Sequence, residues 1–446
     1  MDEANALLKE LSLPTVSNEQ NDALTKNITS QEIGKAINRL KLNKSPGPDG
    51  FNAEWYKLYL KELSPVLLRA FNWVLNGGQT PSSWRETLIT VIPKEGKDKL
   101  NCSNYRPISL LNQDYKIFTS ILAKRLEHIL PEIINLDQTG FIKNRRTRDN
   151  IRRTLSVINH IKKTDKDSMI LGLDAQKAFD TVDWSFLYRV LSHFKFSNRF
   201  IKIIQELYNK PTGKIRINGG LSEEIKIEQG CRQGCSMSPL LFAIFIEPLA
   251  QWIRQNTKIH GIKINHNEQK LALFADDILI YLARPQESLP ELNKVLLEYG
   301  KFSGYKLNSH KSQVLTFKYS PSNIDKEYFK INWNMDSMVY LGVTIPKDPK
   351  NIVSANYDPL MTKIKNDISR WSLLPYLGLT QRVEAIKMMV LPKVLYFFQT
   401  IPAEPDKSMF QEIDKLISRF IWQGKQPRTR FKTLQLSKSK GGLSLP

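Results

Sequence analysis

The stretch Leu271 to Leu282, LALFADDILIYL, places two adjacent carboxylates between apolar runs of strand length. That alternation predicts a β-hairpin with Asp276 and Asp277 at its turn. Acids in so apolar a setting need compensation, because burying a carboxylate pair without cations or donors is costly. A bound metal supplies it. Asp also favours turns for its own sake, so the hairpin alone leaves both readings open.

At 446 residues, 41% of them hydrophobic, the chain can bury a large core divided into two or three subdomains. Its 65 Lys and Arg against 44 Asp and Glu give a formal charge of +21. Such an excess argues for a polyanionic partner, nucleic acid before an acidic membrane surface. Cys102, Cys231 and Cys235 are an odd set without further zinc ligands at finger spacing, which fits a reducing compartment. The start of the chain lacks a signal-peptide pattern, and no apolar run reaches about 18 residues. The expectation is an intracellular protein, not secreted, with nucleus and cytoplasm both open.

In chain order, residues 1–27 are expected as a leader, and Ile33, Ala36, Ile37 and Leu40 predict the first strongly periodic helix. KSPGPDGF, from Lys44 to Phe51, is a compact loop that caps a helix or meets phosphate. Leu88–Ile92 reads as a strand, followed by a loop with Lys94, Lys97, Lys99 and Arg106. Cations on such a hairpin suit a triphosphate, although a solvated loop is the plainer reading. Lys143, Arg145, Arg146, Arg148, Arg152 and Arg153 face only Asp149, a candidate phosphate-backbone track or a solvated helix face.

Met169–Leu173 predicts a buried strand that delivers Asp174 at its C-terminal end. Val339–Ile345, VYLGVTI, reads as one further strand. From about Ala355 the chain turns helical and ends in a basic tail poor in apolar residues. If the strands bearing Asp174 and Asp277 are antiparallel neighbours, Asp174, Asp276 and Asp277 meet at one edge and can hold two divalent cations. Two such ions stabilise the attacking and leaving oxygens of an in-line phosphoryl displacement. Magnesium suits the site, with manganese as an alternative.

The series KSPGPDGF, IPKEGKD, NYRPISLL, DQTGF, LDAQKAFD, RQGCSMSPLLF, FADD, GYKLNSHKSQ and VYLGV resembles the reverse transcriptase domain of non-LTR retrotransposons, most closely the second open reading frame of LINE-1 elements. The resemblance covers roughly residues 30 to 446. It implies an α+β right-hand polymerase: fingers at 28–168, a palm of antiparallel sheet plus helices at 169–350 with part of the fingers interleaved, and a truncated helical thumb with basic tail at 351–446. It implies an RNA template, a DNA primer, dNTPs and two magnesium ions, with no membrane and no clear protein partner.

By the same resemblance, Asp174 and Asp276 are the principal metal ligands and Asp277 completes the acidic site. Phe179 is the steric gate under the sugar, with core packing as its alternative. Gln233 and Gly234 match the loop that meets the incoming nucleotide and template base. Lys94 and Arg106 match the triphosphate grip, Lys311 a lysine that assists the leaving pyrophosphate, and Leu341 with Gly342 the primer grip. Lys143, Arg145, Arg146 and Arg148 are the candidate template contacts. LINE-1 proteins of this kind also carry an endonuclease and a cysteine-rich segment that this chain lacks, so a fragment is expected. The alternative function is a degenerate, inactive piece that still binds nucleic acid; an RNA-templated RNA polymerase is disfavoured by the bulk of Phe179.

Overall fold

In the computed structural model, residues 2–333 and 335–446 are described; Met1 of the expected leader and Asn334 of the expected palm lie outside the described residues. Helices Asp2–Glu10, Asn18–Thr25 and Ser30–Asn38 come first. The third begins at a reciprocal capping box between Thr29 and Glu32. Helices Ala53–Leu58 and Leu60–Leu75 lead into an antiparallel hairpin of β1 (Glu86–Pro93) and β2 (Tyr105–Leu110). After helices Gln113–Leu126 and Thr147–Thr164 comes β3 (Ser168–Leu173).

Helices Trp184–His193 and Asn198–Leu207 precede β4 (Thr212–Ile217), β5 (Gly220–Leu221) and β6 (Ile225–Lys226). Helix Ser238–Gln255 is followed by a small hairpin, β7 (Ile262–Ile264) and β8 (Asn267–Gln269). Next come β9 (Leu271–Phe274) and β10 (Asp277–Ala283), helix Pro285–Ser303 and β11 (Gln313–Phe317). β12 (Ser337–Tyr340) and β13 (Val343–Pro346) precede helices Ile352–Ser372, Leu379–Ala385, Leu391–Thr400 and Lys407–Ile421.

β11, β3, β10 and β9 form an antiparallel sheet in that order. Successive strand residues point to opposite faces, and here both faces are covered. Met169, Leu171, Leu173, Ile278, Ile280, Leu282 and Leu273 enter one core with helices Trp184–His193, Ser238–Gln255 and Pro285–Ser303. Ile170, Leu279, Tyr281, Ala272 and Leu315 enter a second core with helix Thr147–Thr164 and the C-terminal helices. Burial on both sides explains why these strands read as continuous apolar runs rather than as alternating ones.

A second sheet runs β2-β1-β4-β5, with β6 also on β4; β1 and β4 pair in parallel. The segment expected as a leader is built into the first core through Leu8, Leu11, Val16 and Leu24. Its backbone joins the helix end at Phe194, whose carbonyl accepts from Val16 N at 2.8 Å.

One expectation is corrected. VYLGVTI is not one strand but the β12–β13 hairpin, because Leu341 (φ +49) and Gly342 (φ +75) both take left-handed backbone and turn the chain. Positive φ at both central residues is the signature of a type I′ turn. The basic tail is docked: Leu434 and Leu445 are buried in the second core, and Lys387 Nζ donates to the Leu443 carbonyl at 2.7 Å. Among the described residues, no helix is long and apolar enough to cross a membrane.

Candidate active site

The β9–β10 hairpin closes through Ala275 and Asp276, with Phe274 and Asp277 as its last paired residues. Asp277 therefore starts β10, and Asp276 sits in the turn. Across the other edge of β10, Ile278 is paired with Leu173. One position further out, the register sets Asp277 opposite Asp174, so carboxylates a hundred residues apart share one sheet edge.

Asp174 is fixed from several sides. Its Oδ2 accepts from Asn308 Nδ2 at 2.9 Å and lies 3.8 Å from Lys311 Nζ. Its backbone carbonyl accepts from Asn308 N at 2.8 Å, and its N–H donates to Ser312 Oγ at 3.2 Å. Burial, with Asp174 nearby, raises the carboxyl of Asp276, while Lys311 opposes the rise. Burial first, then the charges of Asp276 and Asp174, push Asp277 up to about 6. Asp277 still reaches solvent, so water screens part of this repulsion.

The expected trio is not a preassembled cage: among the described residues, no three or more His, Cys, Asp or Glu are gathered to hold a metal ion. Asp276 and Asp277, whose affinity for protons burial and the neighbouring Asp174 raise, together with Asp174 and its neighbour Lys311, nevertheless fit a hard divalent cation such as magnesium. That ion takes one or two carboxylates and completes its shell with water and substrate phosphates.

Phe179 is half-buried and stacks on Phe242, with ring centroids 4.3 Å apart and planes at 26°. One face is thus packed, as the plainer reading expects, and the ring is held rigidly. Its loop is laced to the one bearing Gln233. Cys231 N donates to the Phe179 carbonyl at 2.6 Å, Trp184 Nε1 to the Gly230 carbonyl at 2.8 Å, and Gln233 Nε2 to Asp180 Oδ1 at 3.4 Å. Gly234 has φ +101, and a Cβ there would lie 2.9 Å from the Ser109 carbonyl of β2. Only glycine lets this loop come so close to the β1–β2 hairpin.

On that hairpin Ile92 pairs with Arg106, and Lys94 N donates to the Asn104 carbonyl at 2.8 Å. Paired residues of antiparallel strands share a face, so Lys94 and Arg106 lie diagonally on the same side. Arg106 is exposed, while Lys94 Nζ donates to the Ser103 carbonyl at 2.8 Å.

Of the candidate template contacts, Lys143 and Arg146 are exposed and Arg148 lies 3.9 Å from Asp149. Arg145 is placed differently. Its guanidinium donates to the carbonyls of Gln138 at 2.8 Å, Ile134 at 2.8 Å and Pro131 at 3.1 Å, and also to that of Asn135, so its donors are spent on the protein's own backbone. Leu341 and Gly342 occupy the β12–β13 turn. Gln313 exchanges hydrogen bonds with Val339 (2.9 and 3.2 Å), Asn356 does so with Thr344 (both 2.8 Å), and the Tyr396 hydroxyl donates to the Leu341 carbonyl. The turn is therefore bolted between the sheet and the C-terminal helices.

Sequence reasoning missed Asn308 and Gln138. Asn308 lies within the GYKLNSHKSQ motif, three residues before Lys311, and that spacing was the available signal. Gln138 is fully buried and touches the turn of the acidic hairpin, with its Oε1 accepting from Ala275 N at 3.0 Å. Its place in DQTGF carries no charge that would have singled it out.

A family model described as reverse transcriptase (RNA-dependent DNA polymerase) matches residues 92–345. The chain is similar to the transposon TX1 uncharacterized 149 kDa protein of Xenopus laevis, with 27% identity over 93% of this chain and 31% of that protein. It is also similar to the RNA-directed DNA polymerase from mobile element jockey of Drosophila melanogaster, with 23% identity over 83% of this chain and 41% of that one. The chain thus spans well under half the length of these relatives. A solved apo telomerase from Candida Tropicalis, truncated from its C-terminal domain, aligns at a TM-score of 0.42 and 14% identity, covering 66% of this chain and 59% of that one.

Proposed function

The chain belongs to the reverse transcriptase (RNA-dependent DNA polymerase) family, and from that premise we propose that it is the polymerase region of a LINE-1-like retrotransposon protein. In this reading it extends the 3′-hydroxyl of a DNA primer with dNTPs along an RNA template. The observation that carries the reading is the pairing of Ile278 with Leu173, which aligns Asp277 and Asp174 on adjacent strands beside Asp276. A sheet edge with three carboxylates and one lysine serves phosphoryl transfer better than it serves stability, since the acids repel one another.

Asp174, Asp276 and Asp277 would hold two divalent cations, magnesium or manganese, which supply positive charge beside the reacting phosphate and at the attacking and leaving oxygens. Asn308 keeps Asp174 in one orientation by holding Oδ2. Lys311 is exposed beside that acid and would steady the departing pyrophosphate. Lys94 and Arg106, on one face of β1–β2, would grip the triphosphate. Phe179, braced by Phe242, would exclude a 2′-hydroxyl, with Gln233 and Gly234 against the nascent base pair. Leu341 and Gly342 would support the primer end. Lys143, Arg146 and Arg148 would follow template phosphates.

The test is extension of a DNA primer on an RNA template with dNTPs and magnesium. The reading expects a template-length product from the wild-type chain. Salt-sensitive binding of the primer–template without any incorporation would replace it with the inactive, nucleic-acid-binding alternative.

A further inference from the structure

Residues 137–140 run beside β9 as an extra piece of strand. Gln138 bridges in parallel to Leu273, Leu273 N donates to the Asp137 carbonyl at 2.8 Å, and Thr139 N donates to the Leu273 carbonyl at 2.8 Å. From this edge the buried side chain of Gln138 reaches the acidic turn. Its Oε1 accepts from Gly140 N at 2.9 Å and from Ala275 N at 3.0 Å. Two backbone donors converge on one oxygen, which fixes the amide's orientation. Its Nε2 is buried without a partner among the described residues, so the side chain is held there for its carbonyl.

Ala275 needs such a partner. It has φ +57, a left-handed conformation that a residue with a Cβ keeps only when its surroundings enforce it. Asp276 follows directly. Gly140 permits the approach, since a Cβ there would stand 2.4 Å from Ala275 N. The far end of the segment is anchored. Asp137 takes both carboxylate oxygens to Arg254 (2.6 and 2.7 Å), Arg254 also binds buried Glu247 at 2.7 Å, and Arg145 ties down the Gln138 carbonyl at 2.8 Å.

We propose that Gln138 is a positioning residue for catalysis: its side-chain carbonyl locks the Ala275–Asp276 turn so that Asp276 stays aimed at the shared acidic edge. The proposal rests on the polymerase reading for what Asp276 does, but not for the lock itself. Gln138→Met keeps length and removes the acceptor. Ala275→Gly relieves the backbone strain that the acceptor opposes.

Amide hydrogen exchange and single-nucleotide incorporation test it together. In the wild type, the Ala275 amide should be protected like those of Ile278–Leu282. In Gln138→Met, the Ala275 and Gly140 amides should open while Ile278–Leu282 stay closed. The variant's kcat should fall by roughly 100-fold, the scale of an ångström-sized misplacement, with KM for the nucleotide unchanged. Adding Ala275→Gly should restore part of kcat, a rescue that a merely structural role would not produce. Free exchange at Ala275 in the folded wild type overturns the proposal even if the variant fails to fold. So does a Gln138→Met enzyme with wild-type kcat, or one whose loss lies in KM. A wild type that protects Ala275 yet incorporates no nucleotide would refute the polymerase reading and leave the lock standing.

Discussion

The sheet β11-β3-β10-β9 is buried on both faces, whereas the β1–β2 hairpin is largely exposed or half-buried along its length. The first carries Asp174, Asp276 and Asp277; the second carries Lys94 and Arg106. Both would touch the same nucleotide, yet they are built oppositely. Carboxylates that repel one another need a frame that cannot relax, and two hydrophobic cores supply it. Cations that close on a substrate need mobility, and a thinly covered hairpin supplies that. Stability and chemistry should therefore respond to different substitutions in the two regions.

The largest contrast is at the acids. Asp174→Ala or Asp276→Ala should abolish primer extension with little change in melting temperature, whereas Lys94→Ala or Arg106→Ala should raise KM for dNTP and leave measurable turnover. Steady-state kinetics beside thermal melts separate the two. Comparable residual activity in both sets would erase the contrast.

Next comes the frame. Arg254 is paired with Asp137 and Glu247 inside the protein. Burial, with Asp137 nearby, pushes Glu247 up to about 7 despite Arg254. Removing one partner of such a set leaves charge buried and unpaired, at about 3–5 kcal/mol. Arg254→Met should lower stability by that amount in denaturant titration, whereas Arg106→Met, on the exposed hairpin, should stay within about 0.5 kcal/mol.

Phe179→Ala sharpens the comparison within the nucleotide pocket. It should admit ribonucleotides, with dNTP preference falling by roughly tenfold or more. Unchanged selectivity would return Phe179 to the core-packing role that its stack on Phe242 also supports.

The smallest effect concerns pH. Asp277 has its carboxyl raised to about 6, above the unfolded value near ~3.9. The folded chain thus binds more protons between those values, and stability falls as pH rises through that window. Without metal, Asp277→Asn should raise the melting temperature clearly more at pH 7 than at pH 5, which lies inside that window. Magnesium at pH 7 should narrow the gap by stabilising the wild type. An equal effect of the substitution at both pH values would mean that Asp277 is not perturbed by its neighbours.

What the sequence disclosed follows the same division. β3, β9 and β10 were legible because burial on both faces leaves unbroken apolar runs, and each run ends in an acid that marks the sheet edge. The β12–β13 hairpin was not, because its turn places Leu341 in left-handed backbone without the Asn-Gly or Asp-Gly pair that signals such turns. The carbonyl contacts of Arg145 were not legible because charge along a sequence does not say whether a guanidinium points to solvent or back to carbonyls. The packed tail escaped notice because three leucines, Leu434, Leu443 and Leu445, among many polar residues dock it. Gln138 escaped because a neutral amide acting through one oxygen has no periodicity or charge signature.

The central claim is that acids from two separate strands form one metal-dependent polymerising site. Its most direct test is single-nucleotide extension on an RNA template across a magnesium series, comparing wild type with Asp174→Asn while duplex binding is followed in parallel. The account predicts equal duplex binding, magnesium-dependent product from the wild type and none from the variant at any magnesium concentration. Product from Asp174→Asn at the wild-type rate, or a wild type that binds the duplex and never extends it, would contradict it.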